Sequence, residues 1–177
     1  MKIRKTKFEG LLIVKQKNNS DSRGNLRETF NNKILKKKFI FEYCTTSKKN
    51  VLRGFHFQTR FKQSKYVNVV KGKILDVVID LRKNSKTFGK SFKIILSKKN
   101  ALGLFIPSGF AHAYYSYEKE NIIYYKLDNY YAPNYENGII YNDKYIKINW
   151  PRKKMAVSKK DKKLQSFKKF KQKFKGL

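Results

Sequence analysis

The chain has 177 residues, with 43 Lys+Arg against 12 Asp+Glu, a formal net charge of +31, 40% hydrophobic residues and 15% aromatic ones. That length suits one domain with a sizeable core, and the apolar and aromatic content excludes a disordered basic protein. Two histidines and a single cysteine, Cys44, preclude an internal disulfide and leave too few ligands for a zinc finger or zinc hydrolase. We expect one domain over residues 1–177, with a β-rich body over 1–151 and a basic C-terminal segment over 152–177. No apolar run approaches the ~18 residues of a membrane span, and residues 1–14 lack the apolar stretch of a signal peptide, so a cytoplasmic location is expected.

In chain order, the first strand signals that carry an argument are Val51 to Gln58 and then Tyr66 to Val70 and Lys73 to Leu81. The last two flank Lys71-Gly72, which reads as a two-residue hairpin turn. Period-two alternation puts Leu75, Val77, Ile79 and Leu81 on one face and Ile74, Asp76, Val78 and Asp80 on the other. The second set is either a solvent face or the inside of a barrel that holds a polar ligand. Further short apolar runs follow at Phe92 to Leu96, Gly103 to Pro107, Ala113 to Tyr117, Ile122 to Leu127 and Ile139 to Tyr141, punctuated by Gly, Asn, Ser and Pro. No βαβ alternation is visible, so the predicted fold is all-β, a jelly-roll barrel or a close relative.

The chain end changes period. Leu164, Phe167, Phe170, Phe174 and Leu177 recur at three- and four-residue intervals, which predicts an amphipathic helix beginning near Ser158, with Ser158 and Asp161 resembling a capping box. Its Phe stripe is expected to pack on the barrel. Residues 152–177 carry twelve Lys/Arg and one acid. The rest of the positive charge is dispersed, mostly as Lys, without a nucleic-acid motif, and reads as a solvated surface. The alternative is a non-catalytic barrel that binds polyanions through those lysines.

Only His56 and His112 titrate near neutrality without a large perturbation, so acid–base chemistry must start with them. Strand alternation puts Gly54, His56 and Gln58 on one face and Arg53, Phe55 and Phe57 on the other. His112 ends the run Pro107-Ser108-Gly109-Phe110-Ala111-His112, a turn that in cupin barrels often delivers a metal ligand. The companion ligands are missing here, so a metal-free barrel is expected.

Taken together, several segments resemble one family in order over about 140 residues. They are Asp21 to Glu28, Val51 to Gln58, Gly72 to Asp80 with Arg82, Ser85, Thr87, Phe88 and Gly89, Ile106 to His112, Tyr130 to Pro133, Tyr141 to Asp143 and Trp150-Pro151. The family is the dTDP-4-dehydrorhamnose 3,5-epimerases, metal-free cupin-like enzymes of nucleotide-linked 4-keto sugars. The resemblance implies a homodimer that needs no cofactor and works on a nucleoside-diphosphate sugar through an enolate. It matches His56 to the base, Asp161 to the carboxylate that orients it, Lys65 to the group facing the enolate oxygen and Tyr125 to the proton donor. Arg53 and His112 match residues around the sugar and diphosphate, and Tyr131 a further pocket residue. Arg23 and Glu28 match nucleotide contacts made across the dimer interface, and Asp76 is a candidate supporting residue inside the barrel. The chain has Ala113 where the family usually has Gly, and the stretch from Phe41 to Val51 is about two residues short. The nucleotide base, and whether one or two carbons are inverted, stay open at this point.

Overall fold

The computed structural model describes residues 1–177. Fourteen strands form in chain order: β1 (Lys2–Lys5), β2 (Leu12–Lys15), β3 (Lys17–Asp21), β4 (Gly24–Glu28), β5 (Phe41–Lys48), β6 (Val51–Gln58), β7 (Lys65–Lys71), β8 (Lys73–Asp80), β9 (Ser91–Ser97), β10 (Leu102–Ile106), β11 (Phe110–Ser116), β12 (Glu120–Leu127), β13 (Glu136–Gly138) and β14 (Ala156–Val157). Two short helices, α1 (Asn32–Leu35) and α2 (Phe167–Phe174), complete the chain. The strands make a cupin-like jelly roll. One six-stranded sheet runs β1-β2-β10-β7-β12-β5, and it faces a five-stranded sheet ordered β13-β6-β11-β8-β9, with β14 added on β6. The hairpin β3–β4 stands apart from both.

Alternation along β8 sorts the layers. Ile74 and Val78 point between the sheets, where they join Val67, Val69, Leu104, Ile123 and Leu127 in the barrel interior. Leu75, Val77 and Ile79 point the other way and are covered by Phe167 and Phe170 of α2. The five-stranded sheet is therefore buried on both faces, which explains the nearly unbroken apolar run of β8. Of the two carboxylates on its inner face, Asp76 lies inside the barrel. Asp80 instead closes the 82–89 turn, accepting from Arg82 Nε at 2.9 Å and from Thr87 Oγ1 at 2.6 Å.

Two expectations need correction. Lys71-Gly72 does not close a hairpin, because β7 and β8 belong to different sheets. Each is already paired on both edges, β7 by β10 and β12 and β8 by β11 and β9. The chain turns a corner between layers at Gly72, which has a φ of +83° and where a Cβ would lie 2.6 Å from Asn121 Oδ1. The second correction concerns the tail. Ser158 Oγ accepts from Asp161 N–H ahead of only a single tight turn at Asp161–Lys163, and α2 starts at Phe167, capped by Ser166, whose side chain accepts from Lys169 N–H. Between them the backbone is extended, with Gln165 bridging in parallel to Ile139. That bridge stops the first turn from propagating. The Phe stripe nevertheless packs on the barrel, with Phe167 and Phe170 both buried and Phe174 and Leu177 beside them.

Candidate active site

The strand β6 carries His56, whose register partner on β11 is His112. Between His112 and Tyr114 the pairing slips, so that three steps along β6, from His56 to Arg53, match two along β11. Such a bulge re-aims side chains, and here it turns Arg53 into the same cavity as His56, against the simple alternation expected from sequence. Gly54 sits at the slip with a φ of +116°. A Cβ there would lie 2.5 Å from the His112 carbonyl oxygen and 2.6 Å from Ala113, so only glycine fits.

Asp161 reaches His56 from 105 residues further along the chain. The strand β14 adds in parallel beside Val51 and Leu52, and the turn after it is fixed by Asp161 N–H donating to Ser158 Oγ at 3.0 Å. Asp161 Oδ1 then lies 2.8 Å from His56 Nε2, and Oδ2 accepts the Gly54 N–H at 3.1 Å. Burial works to raise this carboxyl, but the hydrogen bond and charge of His56, with the Gly54 and Ser158 contacts, outweigh it and hold the group below its ordinary value. An ionised Asp161 can only accept, so Nε2 is the nitrogen that donates to it, and Nδ1 is the ring nitrogen left without that partner. The imidazole is 28% exposed while the carboxylate is 5% exposed.

The cavity has a volume of about 570 Å³ and adjoins a smaller recess of about 290 Å³. Tyr43, His56 and Lys65 line both. The five-stranded sheet supplies Arg53, His56 and His112, and the six-stranded sheet supplies Lys65 and Tyr125. His56 and Tyr125 thus enter the cavity from opposite sheets. Burial pushes Lys65 down to about 8, opposed by the charges of Glu136 and Asp76. Burial also pushes Tyr125 well above its ordinary value of 10, helped by Tyr114, Tyr43 and Asp76, so it is an O–H donor at neutral pH. Its ring stacks on Tyr43 at 4.7 Å and meets His112 edge-on at 6.2 Å.

A second histidine–carboxylate pair lies deeper. His112 Nε2 is 2.8 Å from Asp76 Oδ2, both side chains are almost fully buried, and Asp76 Oδ1 has no partner. Arg53 donates from Nε to Ser47 Oγ at 3.1 Å. Tyr131 stands half-exposed at the rim of the smaller recess and donates to Glu136 Oε2 at 2.7 Å. Arg23 and Glu28 lie outside this cluster, on the separate β3–β4 hairpin. There Arg23 pairs with Asp21 at 2.7 Å in solvent, and Glu28 accepts from Asn31. No group of three or more His, Cys, Asp or Glu side chains is gathered where it could hold a metal ion.

Sequence reading missed several lining groups. Tyr114 and Lys160 line the larger cavity, and Glu136 lines the smaller one with its Oε1 4.0 Å from His56 Nδ1. For Glu136 a signal existed: an acid is scarce in a chain with 12 of them against 43 bases.

With this geometry in place, comparison with known proteins gives a consistent answer. A family model described as dTDP-4-dehydrorhamnose 3,5-epimerase matches residues 5–169. The chain is 39% identical over 165 residues to a dTDP-4-dehydrorhamnose 3,5-epimerase of Methanothermobacter thermautotrophicus, covering 89% of each chain. It resembles the crystal structure of the Bacillus anthracis enzyme of that name with TDP and PPi bound, with a TM-score of 0.90, 34% identity and coverage of 93% of this chain and 98% of that one. It is also similar to a dTDP-6-deoxy-D-glucose-3,5-epimerase from Legionella pneumophila in complex with dTDP-4-keto-L-rhamnose, with a TM-score of 0.89, 34% identity and coverage of 93% and 92%.

Proposed function

The chain belongs to the dTDP-4-dehydrorhamnose 3,5-epimerase family, and from that premise we propose that it converts dTDP-4-dehydro-6-deoxyglucose to dTDP-4-dehydrorhamnose in the cytoplasm. As a member of that family it is an isomerase-class enzyme, an epimerase. The C4 ketone acidifies the hydrogens on C3 and C5. His56 Nδ1, the nitrogen left free by Asp161, takes one of them, and the electron pair of the C–H bond becomes the enolate. Asp161 stabilises the imidazolium that forms. Lys65 lies against the enolate oxygen, where a positive charge lowers the barrier to its formation. Tyr125, coming from the opposite sheet, returns a proton to the other face of the carbon, and that change of face is the inversion.

The observation that carries this reading is the placement of a polarised base and a neutral phenol on opposing sheets of one cavity, with a lysine beside the phenol's strand. Arg53 and His112 are read as binding the sugar and diphosphate, for which a planar guanidinium is well suited. Tyr131 closes the pocket at its rim, and Asp76 holds His112 in place. The β3–β4 hairpin, detached from both sheets, is read as reaching into a second copy of the chain, where Arg23 and Glu28 contact the nucleotide. The working unit is then a homodimer, each copy one domain.

Incubation with dTDP-4-dehydro-6-deoxyglucose in deuterated water, followed by mass spectrometry and proton NMR, tests the reading. Deuterons at both C3 and C5 are expected. One deuteron would make this a single-centre enzyme, and none in folded protein would overturn the assignment. For the hairpin, Arg23→Ala should raise KM with little change in kcat, and an unchanged KM would return Arg23 to the solvated surface.

A further inference from the structure

Each inversion leaves the site in the wrong protonation state for the next. His56 ends with a proton on Nδ1 and Tyr125 ends as a phenolate, so a second inversion or a second turnover requires the base to lose its proton and the phenol to regain one. His56 Nε2 offers no exit, because Asp161 occupies it and is almost fully buried. On the other side of the ring, Glu136 Oε1 lies 4.0 Å from Nδ1. Glu136 comes from β13, held beside β6 by its pairing with Gln58, and lines the smaller recess but not the larger one. It therefore approaches His56 from a different side than Arg53 and His112, which line only the larger cavity.

The surroundings of Glu136 connect it to solvent. Its Oε2 receives hydrogen bonds from Tyr131 and from Lys160, whose side chain is 59% exposed, while Glu136 itself is 14% exposed. Those two donors hold one oxygen and leave Oε1 facing the imidazole. Burial acts to raise this carboxyl, but Lys160, Tyr131 and the charge of His56 prevail and keep it ionised. With Oε2 anchored and Oε1 near Nδ1, the carboxylate is placed to receive a proton but, held below its ordinary value, not to keep it, so a proton that reaches Oε1 passes on to water as a relay requires.

Resting on the function proposed above, we infer that Glu136 is the exit for the proton His56 takes from the sugar. The Nδ1–H bond breaks toward Glu136 Oε1, the proton passes from there to water, and water returns a proton to the Tyr125 phenolate, so one proton leaves and one enters per inversion. The 4.0 Å separation closes by a small side-chain movement, as catalytic hydrogen bonds commonly do once substrate is bound.

The test separates the first proton transfer from the reset. Glu136→Gln retains an oxygen for Tyr131 but cannot accept the proton. With enzyme in excess over dTDP-4-dehydro-6-deoxyglucose in deuterated water, at a pH well below the value of about 8 so that Lys65 stays charged without Glu136, the first exchange by this variant should stay close to that of the wild type. Its steady-state rate should fall ~10-fold or more, and imidazole buffer at constant pH and ionic strength should restore it by carrying the proton instead. Glu136→Asp, which keeps a carboxylate, should lose less and respond less to buffer. Equal losses in both regimes, no recovery with imidazole, or unchanged rates would each overturn the inference while leaving wild-type exchange intact. A wild-type protein that exchanges nothing would instead overturn the proposed function, and this inference with it.

Discussion

The molecule contains two histidine–aspartate pairs with the same 2.8 Å separation, and they are built in different ways. His112 and Asp76 sit on neighbouring strands of one sheet, β11 and β8, and are sealed from bulk solvent, Asp76 wholly inside the barrel and His112 at the wall of the cavity. His56 takes its carboxylate from the tail, which β14 lays alongside β6, and its ring remains open to the cavity. The chemistry of a pair therefore depends less on its geometry than on what else can reach the imidazole. A sealed pair fixes a side chain and its hydrogen bonds, whereas an open one can exchange a proton.

The sharpest way to break that comparison is His56→Ala. Turnover should fall by about 10³-fold, within the range for a positioned acid–base group, while the circular dichroism spectrum and nucleotide binding persist. Retained turnover would remove His56 as the base. Next, Asp161→Asn should lower kcat by ~10²-fold without unfolding the protein, because the ring loses its charged partner but keeps its place in β6. The same variant carries a pH signature. Since the folded protein holds Asp161 below the ordinary aspartate value, its contribution to stability is full above that value and is lost as pH falls through the lower, folded one. Melting curves taken from neutral pH into that acid range should be flatter for Asp161→Asn than for wild type.

Lys65 gives a third, alkaline test on the open side. It must be protonated to favour an enolate, and burial brings it to about 8, so kcat should decline above that pH by about tenfold per unit. Lys65→Arg should remove this limb, since guanidinium stays charged throughout. A limb that persists in the variant would belong to another group. The smallest effect on rate is expected from the sealed pair. Asp76→Asn should cost about 1–3 kcal/mol of stability, as expected when a buried hydrogen-bond partner is replaced, and reduce kcat less than Asp161→Asn does. Thermal melting beside steady-state kinetics checks both, and a larger kcat loss at Asp76 than at Asp161 would dissolve the distinction.

Much of this site could be read from the chain. Arg53, His56 and His112 stand within the motif segments, Lys65 and Tyr125 are matched only through the family resemblance, and all five line one cavity. The grouping of Asp76 with Ile74 and Val78 was legible too, because period-two alternation follows from backbone geometry alone, but it left open whether that face met solvent or the barrel interior, which the second sheet decided. Asp161 was the harder case. Locally it reads as a capping carboxylate, and it does bond within its own turn, yet the same side chain reaches His56.

What the sequence by itself determined is whatever depends on near neighbours: the alternation that makes strands, the apolar period of the tail and the residue types that can move a proton. The tertiary structure decided what depends on pairing between distant segments. Lys71-Gly72 became a corner between sheets because β7 and β8 each had two other strands to satisfy their backbone groups. Arg53 joined His56 because β6 carries one more residue than β11 across the bulge, which no single strand can specify. Glu136 and Asp161 came to opposite sides of one imidazole only when β13 and β14 had each added to β6.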